Sequence, residues 1–348
     1  MRILLIGTEF FGYCDSLKIS LQKLGNEVYV YHLKTEWRKN FKGKVYEKCQ
    51  KIYWKAKGYN EVVGIHPSKA KITESQKVYD MYRTTKPDII INFGGYMLSK
   101  KVVKQMEAVY KVLWVYDGFE RLIKVHDTFK YYNDVYTFER DDISKFNNIE
   151  INAKFLPLCA DEKVYYPIAA KKKSIDLCFV GALIQERVEM FRKLHKMFPD
   201  IVMQIYGHYV SRYNIIGRIR RRIGHEETYL TNSNLKPAEV NELYSKSKIN
   251  INFQRKQSQY GANIRLYEIL ATNSFQLVNS NDYIEDCFSD CLETFKSDEE
   301  MYDKIQYYLE HEEERECKAL NGYYKVANED LFINRAKTIM NNIQLYEN

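Results

Sequence analysis

The sequence predicts an α/β protein built from two doubly wound parallel-sheet domains. Three observations carry this. Short runs that are apolar throughout, such as Ile3-Leu-Leu-Ile6 and Ile89-Ile-Ile91, recur along the chain, as strands covered on both faces require. Segments with helical spacing separate these runs, and several runs end at glycine. The alternation breaks once, from Leu156-Pro157 to Lys173, and then restarts; that stretch holds two prolines and no clear period, so it reads as an interdomain link.

In the first half, residues 2–6 form a strand that Gly7 ends. Leu17, Leu21 and Leu24 mark one helical face, Gly25-Asn26 stops the helix, and residues 28–31 start a second strand. Residues 88–92, before Gly94-Gly95, and 112–116, before Asp117-Gly118, are buried strands; 135–138 and 153–156 are the last short ones. The second half repeats the pattern. Strands at 175–180 and 201–206 end at Gly181 and Gly207, with an amphipathic helix at 186–197 between them. A helix at 237–245, with Pro237 in its first turn, leads to a strand at 248–253. A helix at 263–271 and a strand at 275–279 follow, and from Asp298 onward only helices are expected. The expected domains are 1–165 and 172–325, with 326–348 as a final helical segment.

Composition narrows the class. At 348 residues the chain fits two domains of about 150 residues. Hydrophobic residues make up 45% and charged ones 28%, while 6 Pro and 15 Gly exclude collagen-like and low-complexity chains. No apolar run approaches the ~20 residues of a membrane span, and the first run is too short for a secretory signal. A cytoplasmic location and reduced thiols for the seven cysteines are therefore expected, and no Cys/His pair completes a zinc pattern. A net charge of +7 favours an anionic partner. The 30 tyrosines are scattered without regular basic neighbours, so no nucleic-acid partner is expected.

Residues 7–12, Gly-Thr-Glu-Phe-Phe-Gly, lack the middle glycine of a dinucleotide fingerprint, and Phe10 and Phe11 crowd the backbone. No Walker A lysine motif, Gly-x-Ser-x-Gly elbow or His-Glu-x-x-His helix occurs. The informative stretch runs from Lys248 to Asn279. A buried strand there delivers a polar loop, Gln254 to Gly261, to a helix start at Ala262-Asn263. Open N–H groups and the helix dipole make such a start a phosphate site, to which Arg255, Lys256 and Arg265 add charge. Glu268, farther along the helix, is placed to accept hydrogen bonds from a ribose. The plainer reading is a capped helix with Glu268 paired to Arg265.

Four segments in this order resemble a known family. They are Phe155-Leu-Pro-Leu-Cys-Ala-Asp-Glu-Lys-Val-Tyr-Tyr-Pro167, Phe179-Val-Gly-Ala-Leu-Ile-Gln-Glu-Arg187, Leu235-Lys-Pro-Ala-Glu-Val-Asn-Glu-Leu-Tyr244 and Asn263-Ile-Arg-Leu-Tyr-Glu-Ile-Leu-Ala271. They look like the C-terminal half of CgeB-like glycosyltransferases, within the group 1 glycosyltransferases of the GT-B superfamily. The resemblance covers residues 154–279. It implies two Rossmann-like domains facing a central cleft, the nucleotide-sugar donor held mainly by the second, and a C-terminal helix crossing back to the first domain. Carried over by position, Gly181 and Arg187 face the diphosphate and Gly207 lies near the base. Gly261, Ala262 and Asn263 lie at the phosphates, and Glu268 at the ribose. Related retaining enzymes often carry a glutamate eight residues before the ribose one; here that position is Tyr260.

No cofactor or metal is expected, since amides and cations can stabilise a leaving diphosphate. An inverting enzyme needs a general base from the first domain. Asp117 at a strand end leads, followed by His126, with Glu9 as a third group that could meet the acceptor; a turn-capping Asp and a surface His are the plainer readings. Arg212, Arg218, Arg220, Arg221 and Arg222 alternate with isoleucines in an acid-free stretch. That pattern suits an anionic membrane surface, a polyanionic acceptor or an exposed helix. The expected function is sugar transfer to a hydroxyl acceptor, a bacterial envelope glycan or lipid-linked glycan, near the inner face of the plasma membrane. A nucleotide-sugar 2-epimerase and a non-catalytic sugar-nucleotide- or glycan-binding protein are the alternatives.

Overall fold

The computed structural model describes residues 1–8, 12–59, 62–95, 98–107, 109–168, 172–208, 229–231, 233–255 and 258–347. The chain divides into two compact units. The first comprises Met1–Leu158, Ser258–Gly261 and Phe332–Asn348; the second comprises Cys159–Gln257 and Ala262–Leu331.

The first unit holds one six-stranded sheet: β1 (Arg2–Thr8), β2 (Glu27–Leu33), β3 (Ile89–Phe93), β4 (Tyr110–Val115), β5 (Asp134–Thr137) and β6 (Ala153–Phe155). The order is β2-β1-β3-β4-β5-β6, and every pair is parallel. Ile3, Leu4, Leu5 and Ile6 are all fully buried, as are Val112 to Val115, because helices cover both faces. The Tyr13–Lys23 helix buries Leu17 and Leu21, and Gly25, at φ 80°, makes the left-handed turn into β2. The Phe332–Glu347 helix belongs to this unit. Phe332 stacks on Tyr13 at 6.2 Å, and Arg335 donates to the carbonyls of Pro157 (2.8 Å) and Leu158 (3.0 Å).

The second unit holds β7 (Ile175–Val180), β8 (Met203–Tyr206), β9 (Leu230–Thr231), β10 (Ser247–Asn252), β11 (Gln276–Asn279) and β12 (Glu293–Phe295). Its order is β12-β11-β10-β7-β8-β9, again all parallel. The chain winds outward from β7 to β9, then returns to β10 on β7's other side. The carboxyl ends of β7 and β10 therefore flank a topological switch point, where ligands of open α/β sheets bind.

The strands expected from apolar runs occur within a few residues of their expected bounds. Elements not expected by position include the short strands β9 and β12 and the helices Phe41–Ala56, Ser68–Thr85, Lys100–Gln105, Asp142–Asn147 and Asp282–Phe288. Two- and three-residue strands are too short to show a period. Among the described residues no helix is long and apolar enough to cross a membrane.

Candidate donor site at the carboxyl ends of β7 and β10

Strand β10 carries polar side chains at alternate, buried positions. Asn250 and Asn252 are 0% exposed, and Gln254, two residues further on, is 4% exposed. Buried amides must be hydrogen-bonded, and these build a ladder. Cys178 Sγ donates to Asn250 Oδ1 (2.9 Å), while Asn252 Nδ2 donates to Gln276 Oε1 (2.9 Å) and Asn263 Oδ1 (3.2 Å). Asn263 Nδ2 donates back to Asn252 Oδ1 and to the Phe253 carbonyl, each at 3.0 Å. The ladder thus locks the loop after β10 to the start of the Ile264–Ala271 helix.

Asn263 is that helix's N-cap, its Oδ1 accepting from Leu266 N. Its own N–H donates to Gln254 Oε1 at 2.7 Å. Of the two amides expected at the phosphates, Ala262 and Asn263, that of Asn263 is therefore already engaged, and further donors lie in the helix's first turn. The N–H groups of Ile264 and Arg265 take no partner among the described residues. Beside them, Gln254 Nε2 is buried and unpartnered among the described residues. An unmet buried donor costs about 1–3 kcal/mol, which an incoming oxygen would recover.

Gly181 and Gly207 meet where β7 and β8 end. Gly181 N donates to the Tyr206 carbonyl at 2.9 Å, and a Cβ on Gly207 would lie 1.7 Å from the Gly181 carbonyl oxygen. Only glycine fits at 207. Arg187, in the first turn of the Gln185–Met197 helix, places its guanidinium over the rings of Phe253 (4.9 Å) and Phe179 (5.5 Å) and donates to the Ala182 carbonyl at 3.0 Å. Stacking holds the guanidinium in a fixed plane. Arg255 is exposed and Arg265 half-buried, while Gly261 and Ala262 are buried. Lys256 lies outside the described residues.

Glu268 is 4% exposed. The Tyr165 hydroxyl bonds to it, and burial together with this carboxylate raises the Tyr165 pKa; buried Tyr244 is raised for the same two reasons. Arg265 acts on both tyrosines in the opposite sense. Glu268 is thus an acceptor held among two tyrosines and an arginine, five positions after the cap. The roles of Tyr165 and Gln254 went unread in the sequence, although polar residues at every second position of an apolar strand were a usable signal.

The first-unit candidates are engaged. Asp117 forms an ion pair with Arg121. His126 packs against Phe119 at 4.1 Å and Phe129 at 5.5 Å, and its Nε2 lies 2.8 Å from the Phe119 carbonyl, so Nε2 is the protonated nitrogen. Burial lowers its pKa. A neutral ring with an Nδ1 acceptor results. Glu9 and the stretch containing Arg212, Arg218, Arg220, Arg221 and Arg222 lie outside the described residues.

A buried acid that sequence reasoning missed is Glu139, just past β5 and 3% exposed. It accepts from Ser258 Oγ and from Tyr260 N (2.6 Å), while Arg140 N donates to the Tyr260 carbonyl at 2.9 Å and its guanidinium lies 3.9 Å above the Tyr260 ring. Burial, the first cause, raises the Glu139 pKa, with Asp141 and Asp142 adding to it against the two hydrogen bonds. Gly261 follows because a Cβ there would lie 2.4 Å from the Phe138 carbonyl. Tyr260 thus belongs to the first unit, held there by Glu139 and Arg140.

A pocket of about 420 Å³, lined in part by Lys173, Ser245, Lys248 and Arg315, opens at the amino-terminal ends of β10 and β11 and holds none of the donor-site candidates. Among the described residues no group of three or more His, Cys, Asp or Glu side chains could hold a metal ion.

Comparison with known proteins bears on this arrangement. Residues 187–341 match a family model described as glycosyl transferase-like. No curated protein matches the chain. Similar solved structures include sucrose-phosphate synthase from Thermosynechococcus elongatus, 12% identical with a TM-score of 0.66 over 100% of this chain and 98% of that one. Anabaena HepE in complex with UDP and glucose is 11% identical, with a TM-score of 0.65 over 99% of both chains. A trehalose-6-phosphate synthase, studied for glycosyl transfer with retention, is also 11% identical, with a TM-score of 0.69 over 99% of both chains. At these identities the likeness shows the fold, which is GT-B.

Proposed function

We propose that the protein is a glycosyltransferase that moves a sugar from a nucleoside-diphosphate sugar to a hydroxyl acceptor. The observation that carries this is the start of the Ile264–Ala271 helix: two open N–H groups, the unpartnered Gln254 Nε2 beside them, and a buried carboxylate at Glu268. In this reading the diphosphate rests on Ile264 N, Arg265 N and Gln254 Nε2, with Arg187, Arg255 and Arg265 supplying charge. Glu268 accepts from the ribose hydroxyls. Gly181 and Gly207 let the ends of β7 and β8 close tightly on each other. The acceptor oxygen attacks the anomeric carbon, the bond to the diphosphate breaks, and its charge falls on these amides and cations without a metal. The glycosyl transferase-like match and the solved structures of similar fold support the same reaction class. The acceptor in this proposal is a glycan or lipid-linked glycan. His126 Nδ1 and Asp117 are the first-unit groups offered as its base, Asp117 only after release from Arg121.

Calorimetry with UDP and GDP tests the donor half. The intact chain should bind one of them, and Glu268→Ala should weaken that binding at least ~30-fold, the loss of about 2 kcal/mol from charge-assisted hydrogen bonds. Tyr165→Phe, which keeps the carboxylate, should bind normally. Unchanged binding by Glu268→Ala would sink the ribose assignment. Turnover of a donor to its epimer without acceptor would point to a 2-epimerase, and tight binding with no turnover to a sugar-nucleotide-binding protein.

A further inference from the structure

The Phe41–Ala56 helix buries one residue only, Gly43, whose Cβ position is filled by the Trp37 carbonyl. Its inward contacts are few. Tyr46 donates to the His66 carbonyl (3.2 Å), Gln50 accepts from Lys124 Nζ (3.1 Å), and that ammonium sits 5.6 Å from the Trp54 ring centre. At 100° per residue Gly43, Tyr46, Gln50 and Trp54 share one face.

The opposite face is apolar and open. Phe41 is 81% exposed, Ile52 61%, Tyr53 49% and Val45 44%, and Cys49 and Ala56 are exposed as well. On the helical wheel these six fall within an arc about 120° wide, interrupted by Lys42 between Cys49 and Tyr53. Elsewhere among the described residues exposed large hydrophobics come one or two to an element; here four share one helix. Lys44, Lys48, Lys51 and Lys55 fall along the Phe41 edge of the arc. The helix's one acid, Glu47, is taken up by Arg38 (3.5 Å) and Lys51 (2.9 Å).

We propose that this face lies on an anionic lipid surface. An apolar strip bordered by lysines matches both layers of a membrane interface: the strip enters the acyl boundary while the ammonium groups stay at the lipid phosphates. A water-soluble partner would need both a groove for Phe41 and Ile52 and an acidic rim beside it, whereas an anionic bilayer supplies both over any area. The proposal concerns the first unit alone. It is independent of the arginine-rich 212–222 stretch and of the sugar-transfer reading.

The test is flotation of the intact chain with vesicles of phosphatidylcholine alone and of phosphatidylcholine mixed with phosphatidylglycerol. Binding is expected to the mixed vesicles only, and to fall as salt is raised. Phe41→Ser/Ile52→Ser should cut the bound fraction about tenfold or more, and Lys44→Gln/Lys48→Gln/Lys55→Gln should remove the preference for the anionic lipid. These side chains are exposed, so circular dichroism and thermal melting of both variants should match the parent. A nitroxide on Cys49, with Cys317→Ser, should become inaccessible to aqueous quenchers when mixed vesicles are added. Failure of the parent to bind, or equal binding by both variants, would overturn the proposal. So would a lipid-free dimer that Phe41→Ser/Ile52→Ser disperses, since a second copy would then cover the face.

Discussion

Replacing Gly207 with alanine should weaken the second unit and its proposed donor site together. The added carbon would sit 1.7 Å from the Gly181 carbonyl oxygen and 2.8 Å from its carbon, where ordinary contact begins near 3.4 Å. Both partners are backbone, and each is fixed by the sheet: Gly181 N donates to the Tyr206 carbonyl, and Gly207 N to the Thr231 carbonyl at 3.2 Å. No rotamer change can relieve the overlap, so the ends of β7 and β8 must separate by more than 1 Å. Overpacking of this kind costs ~1–3 kcal/mol, and a weakened strand-end hydrogen bond adds about 1 kcal/mol. A total near 3 kcal/mol corresponds to a fall of roughly 6–12 °C in the melting transition of a domain this size. Calorimetric scanning reads the melting, and titration with a nucleoside diphosphate reads the displacement of Gly181 from the donor loop. An alanine variant that melts and binds like the parent would refute the claim that these two glycines fix the loop.

Three further outcomes rest on buried polar groups elsewhere in the two units. His66 is buried, its Nδ1 accepts from Trp37 Nε1 (3.2 Å), and burial, then Arg38, push its pKa down from 6.5 to about 3. The folded state keeps the ring neutral while the unfolded chain protonates below pH 6.5, so stability falls as pH drops from 6.5 towards 3. At pH 5 that loss should be about 2 kcal/mol, and urea titrations should show it absent in His66→Gln. Asn263→Ala should lose about 1–2 kcal/mol from the missing cap and more from the stranded Asn252 amide, with Asn263→Asp recovering the cap portion in the same assay. Glu139 behaves oppositely to His66. Its pKa is raised on folding, so its stabilising effect is complete below about pH 4.5 and declines as pH rises through the folded value. Glu139→Gln should therefore gain stability over the parent at pH 7 but not at pH 4, and a constant difference across that range would count against its burial as the cause.

Much of the fold was legible because its strands are buried on both faces. Runs such as Ile89-Ile-Ile91 and Val112 to Val115 can satisfy their burial in few other ways, and glycines at 25, 181 and 207 mark where the chain turns. The donor-site candidates were legible in part. The polar loop after β10 and the cap at Asn263 were placed by residue type, but the donor that Asn263 gives to Gln254, and hence which amides stay open, depends on three dimensions. Glu139 could not be found from pattern at all. Its partners, Ser258 and Tyr260, lie 119 and 121 residues away. The Phe41–Ala56 helix was opaque for a different reason: its helical period is real, but the structure turns the apolar strip outward.

The make-up of the first unit has a consequence for synthesis. That unit is complete only when Phe332 has reached Tyr13 and Arg335 the carbonyls of Pro157 and Leu158. Phe332 leaves the ribosome about 170 residues after Leu158, a delay of roughly 10–30 s at ordinary elongation rates. Throughout that interval β3 and β4 lack the helix that covers Phe93 and Trp114, whereas the second unit, closed by residue 331, has all its parts first. The nascent chain is thus an N-terminal half that waits on its C-terminal half, with the apolar surface around Phe93 and Trp114 uncovered for longer than when a domain is finished before the next begins.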